Sequence, residues 1–198
     1  MGGMPKISAA TVVEHREQVR EALVDAAEQI LRAGEPLTAG VVSAAAGIAR
    51  NSIYRYVDSV DDLRGMVLSR YLPAWDKAVT EALAAVDDPG ERVVAWVRVN
   101  LEQAHRTGHG WLMDVSRGAA PSAASAEVAE YAHRILRDAL QSAWQELTSD
   151  PLEARIKASL TLGILQAAFQ ALDTDIPLEA LLATTVETAR AIVAPQPA

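Results

Sequence analysis

Apolar residues recur along this chain at spacings of three and four almost from end to end, and hardly any segment alternates with period two. Such periodicity lines one face of each helix for packing and predicts an all-α protein. The first helix is expected over about 12–33, where Val19, Leu23, Ala26, Ala27, Ile30 and Leu31 form one stripe and Thr11 with Glu14 resembles a capping box. Gly34 and Pro36 break it. Thr38 is then placed to cap a short second helix, with Leu37 and Val42 as a hydrophobic staple and Gly47 as the left-handed residue that ends it. A third helix follows at once, and Ser59 with Asp62 can cap a long fourth one reaching about Val86.

Further on, Asp88 before Pro89 and Asp150 before Pro151 each set a capping carboxylate ahead of a proline at the first helical position. With Pro177 opening the last element, the pattern predicts helices near 89–107, 110–117, 123–148, 152–172 and 177–193. Residues 118–125, GAAPSAAS, read as a mobile loop, and 1–8 and 194–198 as frayed ends. The helix over 152–172 is apolar nearly all round, with Leu160, Leu162, Ile164, Leu165 and Phe169 pointing in several directions, so it needs cover on more than one side. The last helix is more one-sided, through Leu178, Leu181, Leu182, Val186, Ala189, Ile192 and Val193. A monomer core could absorb both.

Composition changes this picture little: 198 residues, 50% hydrophobic and 22% charged, is the make-up of a globular protein rather than a disordered or collagen-like one. No apolar run approaches the roughly 20 uncharged residues of a bilayer span, and the start MGGMPKIS lacks the features of a signal peptide, so the cytoplasm is the expected compartment. The absence of cysteine removes disulfides and thiolate chemistry from consideration. Charge matters more. A formal net charge of -8 argues against coating nucleic acid non-specifically, which needs many cations to release counterions. Yet residues 1–70 carry 8 Lys/Arg against 9 Asp/Glu, net -1, whereas residues 71–198 carry 10 against 17, net -7.

The near-neutral part holds the stretch GIARNSIYRYV, residues 47–57, where two arginines, an asparagine, a serine and two tyrosines fall within seven positions. Two short helices joined by a glycine turn, after a longer amphipathic helix, outline a helix-turn-helix unit whose second short helix can enter the major groove. On a helical wheel Ala49, Ile53 and Val57 share one side and are expected to pack. Arg50, Asn51, Tyr54 and Arg55 then occupy the opposite arc, and Tyr56 is expected to be half-buried. Arginine can grip guanine bidentately, asparagine can pair with adenine, and tyrosine and serine hydroxyls reach phosphate oxygens, so Ser52, Tyr54 and Tyr56 join the candidate contacts. Thr38 and the amides that start its helix could hold another phosphate. A solvated polar face is the alternative reading of the same arc.

The block TAGVVSAAAGIARNSIYRYVDSVDDL, Thr38 to Leu63, resembles the signature of the TetR family of bacterial transcriptional regulators, and the resemblance covers about the first third of the chain. It implies a helix-turn-helix DNA-binding domain over 9–58 and a divergent helical effector-binding and dimerisation domain over 59–194. The chain departs from the pattern at Val57, where the family usually has phenylalanine, at Val60, where it usually has a phosphate-binding lysine, and at Gly40 and Ser43. Each lost cation weakens the salt-dependent part of DNA affinity. The N-terminal arm, which reaches the minor groove in some relatives, offers only Lys6.

The same resemblance implies a homodimer through the helices near 152–172 and 177–193, where Gly163, Ala167 and Ala171 permit close approach. It also implies a small-molecule effector. Trp75, Trp96, Trp111, Met113, Tyr131 and Trp144 could line an apolar pocket, with Asn100, Gln103, His105 and Asp114 as polar contacts, although aromatic core filling is the simpler reading of any one of them. His105, His109 and Asp114 could hint at a metal, but Gly108 and Gly110 break the helix that would align them, so neither metal nor cofactor is expected. No nucleophile elbow, phosphate loop or HExxH-like pair occurs. The expectation is a non-enzymatic regulator, most often a repressor, that leaves a palindromic operator in double-stranded DNA when a largely apolar effector binds, with no membrane partner. The alternative is a helical-bundle enzyme or carrier whose N-terminal unit only packs or docks protein.

Overall fold

The structure, a computed structural model, describes residues 9–108, 110–112, 115 and 123–194, with backbone alone at 9–11 and 123–125. Its elements are α1 (Ala9–Arg32), α2 (Ala39–Ala45), a 3₁₀ helix (Arg50–Arg55), α3 (Asp62–Ala84), α4 (Pro89–Thr107), α5 (Ala123–Leu147), α6 (Pro151–Ala171) and α7 (Leu178–Val193). The described residues contain no strand. The chain divides into two compact units, one made of Met1–Leu68 with Val115–Ser125, the other of Ser69–Asp114 with Ala126–Ala198. α3 begins in the first unit and continues into the second. Residues 110–112 are helical, while most of the helix expected over 110–117, most of the loop expected at 118–125 and the ends 1–8 and 195–198 lie outside the described residues; 123–125 are the start of α5 rather than loop.

In the first unit, α2 packs on α1 and on the 3₁₀ helix. Leu23, Val24, Ala27 and Ile30 from α1 are buried there, as are Val42 from α2, Ile53 and Val57 around the 3₁₀ helix, and Leu63 and Val67 from α3. Local chemistry sets the turns. Thr38 caps α2, its hydroxyl oxygen accepting from the Val41 amide at 3.3 Å. Gly47, at φ 70°, ends that helix in a Schellman motif: the Ile48 amide donates to the Ser43 carbonyl at 2.9 Å and the Gly47 amide to the Ala44 carbonyl at 3.2 Å. A side chain at such a φ would cost about 1–2 kcal/mol. The Ser59–Asp62 pair is a reciprocal capping box, with the Ser59 amide 2.8 Å from the Asp62 carboxylate and the Asp62 amide 3.1 Å from the Ser59 hydroxyl. One start differs: α1 opens at Ala9, so Thr11 lies inside its first turn rather than capping it. Two alanines, the best helix formers, carry the helix back past the cap-like residue.

In the second unit, α4 packs on α6 and α7, which also pack on each other. Asp88 and Asp150 cap α4 and α6, accepting from the Glu91 and Leu152 amides at 2.8 and 2.9 Å. The core is built around Trp96, Trp144, Val93, Val97, Leu101, Leu140, Leu165 and Val186. At Gly90 the start of α4 comes so close to the end of α7 that a Cβ would stand 2.6 Å from Val193 Cγ1. α4 and α7 both pack on α6, so it has the cover from more than one side that its apolar make-up called for, but not all round. Leu165 and Phe169 are buried, but Leu152, Ile156 and Leu160, four residues apart along one line, remain 59%, 51% and 57% exposed. α7 covers only one side. No described helix is long and apolar enough to cross a membrane.

Candidate nucleic-acid interface

Residues 50–55 form a 3₁₀ helix rather than the expected α-helix, following directly on the Schellman turn. At 6 residues it is longer than most 3₁₀ pieces. Ala49 is the N-cap, with extended φ -67° and ψ 139°, so its side chain leaves the wheel and is exposed instead of packing beside Ile53. Ile53 and Val57 do the holding, at 0% and 6% exposure. Burying each contributes about 1.5–3 kcal/mol. Arg50, Asn51, Tyr54 and Arg55 are exposed, and Ser52 and Tyr56 are half-buried. The Arg50 side chain leans toward α2, its Nε 4.0 Å from the position a Cβ would take at Gly40. Thr38 is exposed; the cap uses its oxygen as acceptor and leaves its O–H free to donate.

A residue outside the expected set reaches this segment. Arg16 of α1 donates from one guanidinium nitrogen to the Arg55 carbonyl at 3.2 Å, across 39 positions of sequence. Its helical phase could have revealed it: Arg16 lies on the stripe of Leu23, Ala27 and Ile30, about two turns beyond the first buried residue of the helix. Glu14, Glu17, Glu21, Asp25 and Glu28 fall on the opposite arc of the same helix. Among the described residues, Arg32 pairs with Glu28 and Arg64 with Asp61, whereas Arg16, Arg20, Arg50 and Arg55 make no ion pair. α1 thus sets Arg16 and Arg20 apart from its acidic arc.

The expected effector residues sit in the second unit, and their polar tips largely bond within it. Trp75 donates to Asn100 at 2.7 Å, and Asn100 to the Trp96 carbonyl at 2.8 Å. Trp144 donates to the Thr161 hydroxyl at 3.1 Å and Trp111 to the Thr107 carbonyl at 2.7 Å. Tyr131 donates to the Asp76 carboxylate at 2.9 Å, and this bond, with burial and the negative charge adding to it, raises the phenol above its ordinary pKa. Gln103 is buried, and its main-chain carbonyl accepts from the Thr107 hydroxyl. The indole N–H of Trp96 and the amide nitrogen of Gln141 are buried without an acceptor among the described residues. Met113, His109 and Asp114 lie outside those residues. A cavity of about 390 Å³ opens instead beside Leu83, Val86, Arg92, Ala139, Ser142 and Glu146, and none of the expected effector residues among the described ones lines it. Arg92 ties its rim together, donating to both oxygens of Glu146 at 2.9 and 3.0 Å and to the Val86 and Asp87 carbonyls. No cluster of three or more metal-binding side chains occurs among the described residues.

A helix-turn-helix unit with an outward row of Arg, Asn and Tyr, joined to a helical second unit, defines an all-α architecture of two units. No family model matches the chain. Solved structures narrow the class: the fold is that of TetR-type transcriptional regulators. AibR, in complex with isovaleryl coenzyme A and operator DNA, matches with a TM-score of 0.66 at 17% identity over 86% of this chain and 97% of its own. The regulator FadR from Bacillus subtilis, in complex with stearoyl-CoA, matches at 0.61 and 16% identity over 87% and 96%. A TetR-family regulator from Bordetella parapertussis 12822 matches at 0.59 and 18% identity over 88% and 93%. In sequence, an uncharacterized HTH-type transcriptional regulator of Mycobacterium tuberculosis (strain ATCC 25618 / H37Rv) is 29% identical over 87 residues. That match spans 43% of each chain, less than half of the relative's length.

Proposed function

We propose that this protein is a DNA-binding transcriptional regulator, acting as a homodimer on a palindromic duplex and released from it by a small-molecule effector. The observation that carries the reading is the division of residues 50–57: Ile53 and Val57 are buried while Arg50, Asn51, Tyr54 and Arg55 face outward with no acidic partner among the described residues. Those side chains match the hydrogen-bonding edges of bases and the charge of phosphates. Selection from random duplex DNA tests it. A palindrome should be enriched, and Arg55→Ala should cost about 1–3 kcal/mol of affinity and relax one position in each half-site. Recovery of no motif at low salt would favour a bundle enzyme or carrier instead.

The homodimer is supported by the bare line Leu152, Ile156 and Leu160 on α6, which a second copy would cover, and by Gly163, where nothing lies within 4 Å of a Cβ position. Dimerisation would set two reading segments about one DNA turn (~34 Å) apart. The effector reading is supported by the polar aromatic layer of the second unit and by the buried, acceptor-less Trp96 and Gln141 donors. An apolar molecule bearing carbonyl or carboxylate oxygens fits them. With net -7 over residues 71–198, that unit is poorly suited to a polyanion. Release would travel along α3, the helix shared by the two units. A compound that binds measurably yet leaves operator affinity unchanged would rule out this coupling for that compound. A repressor of this kind works in the cytoplasm and is not an enzyme.

A further inference from the structure

We infer that Arg16 is a DNA-backbone anchor, a cation supplied by α1 beside the reading segment that makes up for the missing lysine at Val60. The inference rests on the DNA-binding reading above and adds a residue to it. Arg16 is exposed, and its guanidinium stands 3.2 Å from the Arg55 carbonyl, at the end of the segment whose side chains face DNA. One of its five N–H donors is spent there. That bond fixes the otherwise long and mobile side chain, so the remaining donors and the full charge are presented in a set direction, which lowers the ordering cost of a contact. No carboxylate pairs with Arg16 among the described residues, and the acidic residues of α1 lie on its other arc. The neighbouring cation on the same helix face, Arg20, adds to the field. Val60, by contrast, is a half-buried apolar residue at the point where the resemblance calls for a phosphate-binding lysine.

A phosphate contact and a mere clamp on Arg55 differ in what they do to salt dependence. Each phosphate neutralised gives a slope of about -0.9 in log K against log salt. Affinity of the full-length protein for its selected palindrome and for an unrelated duplex is measured across salt concentrations, for wild type, Arg16→Ala and Arg16→Lys. Arg16→Ala should make the slope shallower by about 2 for a dimer, one unit per protomer. It should weaken both duplexes by a similar factor and leave the selected motif unchanged, and Arg16→Lys should restore the slope. An unchanged slope, or a motif that changes while the slope does not, would make Arg16 a clamp and overturn the anchor. A lysine variant that folds but leaves the slope shallow would also overturn it. Failure of the wild type to select any motif would instead remove the DNA-binding reading on which the anchor depends.

Discussion

The two units treat the same kinds of side chain in opposite ways. Around the 3₁₀ helix, polar groups point outward and two apolar residues, Ile53 and Val57, hold the segment down. In the second unit, Trp75, Tyr131 and Trp144 turn their polar tips inward, onto Asn100, Asp76 and Thr161. A buried polar group must find a partner or incur its desolvation cost, so the second unit spends most of its hydrogen-bonding capacity on itself, the Trp96 and Gln141 donors excepted. The first unit leaves that capacity for another molecule. The contrast separates an outward-facing polar surface from a scaffold more sharply than residue type does.

The largest expected effect falls on the scaffold. Trp144→Ala should lower the stability of the second unit by about 3–5 kcal/mol, since it removes a buried indole and leaves the Thr161 hydroxyl without its donor. Denaturant unfolding followed by helical circular dichroism measures the loss, and a change below about 1 kcal/mol would mean that the indole is not part of the core. Next comes the anchor of the reading segment. Ile53→Ala should cost about 2–5 kcal/mol in the first unit and abolish palindrome binding, while leaving the second unit's transition in place. Coincident loss of both transitions would show that the division into units has no energetic counterpart.

A smaller change of opposite sign is expected at Ser43, whose hydroxyl is buried in the first unit without a partner. Ser43→Ala should raise that unit's stability by about 1 kcal/mol or less, read as a higher melting temperature. Destabilisation would reveal a partner for the hydroxyl. The smallest effect concerns Tyr131. Because its pKa is raised in the folded protein, its contribution to stability is complete below the ordinary phenol value of 10.0 and is lost as pH rises through the raised one. Ultraviolet titration should show one phenol ionising late, absent in Tyr131→Phe; an unaltered titration curve in that variant would remove Asp76 as its partner.

Much of the architecture was legible in the chain. The caps at Thr38, Asp88 and Asp150, the Ser59–Asp62 box and the turn at Gly47 each depend on residues a few positions apart, so local rules located them. Less accessible was anything that depends on how local pieces meet. Ala49 left the wheel because the backbone at the cap is extended, and Thr11 lost its capping place because two alanines prolong α1. Arg16 was overlooked since a charged residue reads as solvent-facing until the length of the core beneath its stripe is known. Among the expected effector residues, sequence could not distinguish a pocket wall from a self-satisfied core, because hydrogen-bond partners such as Trp75 and Asn100 lie 25 positions apart.

What the sequence determined by itself is the helical periodicity, the punctuation between helices and the presence of a basic, amide-bearing face on the short helix after Gly47, all properties fixed within one or two turns of chain. Tertiary structure alone decided that Arg16 joins that face, that the polar tips of the second unit bond to one another, and that the line Leu152, Ile156 and Leu160 is left uncovered. Those outcomes depend on which surfaces remain after the helices pack, and burial is a property of the assembled chain rather than of any segment in it.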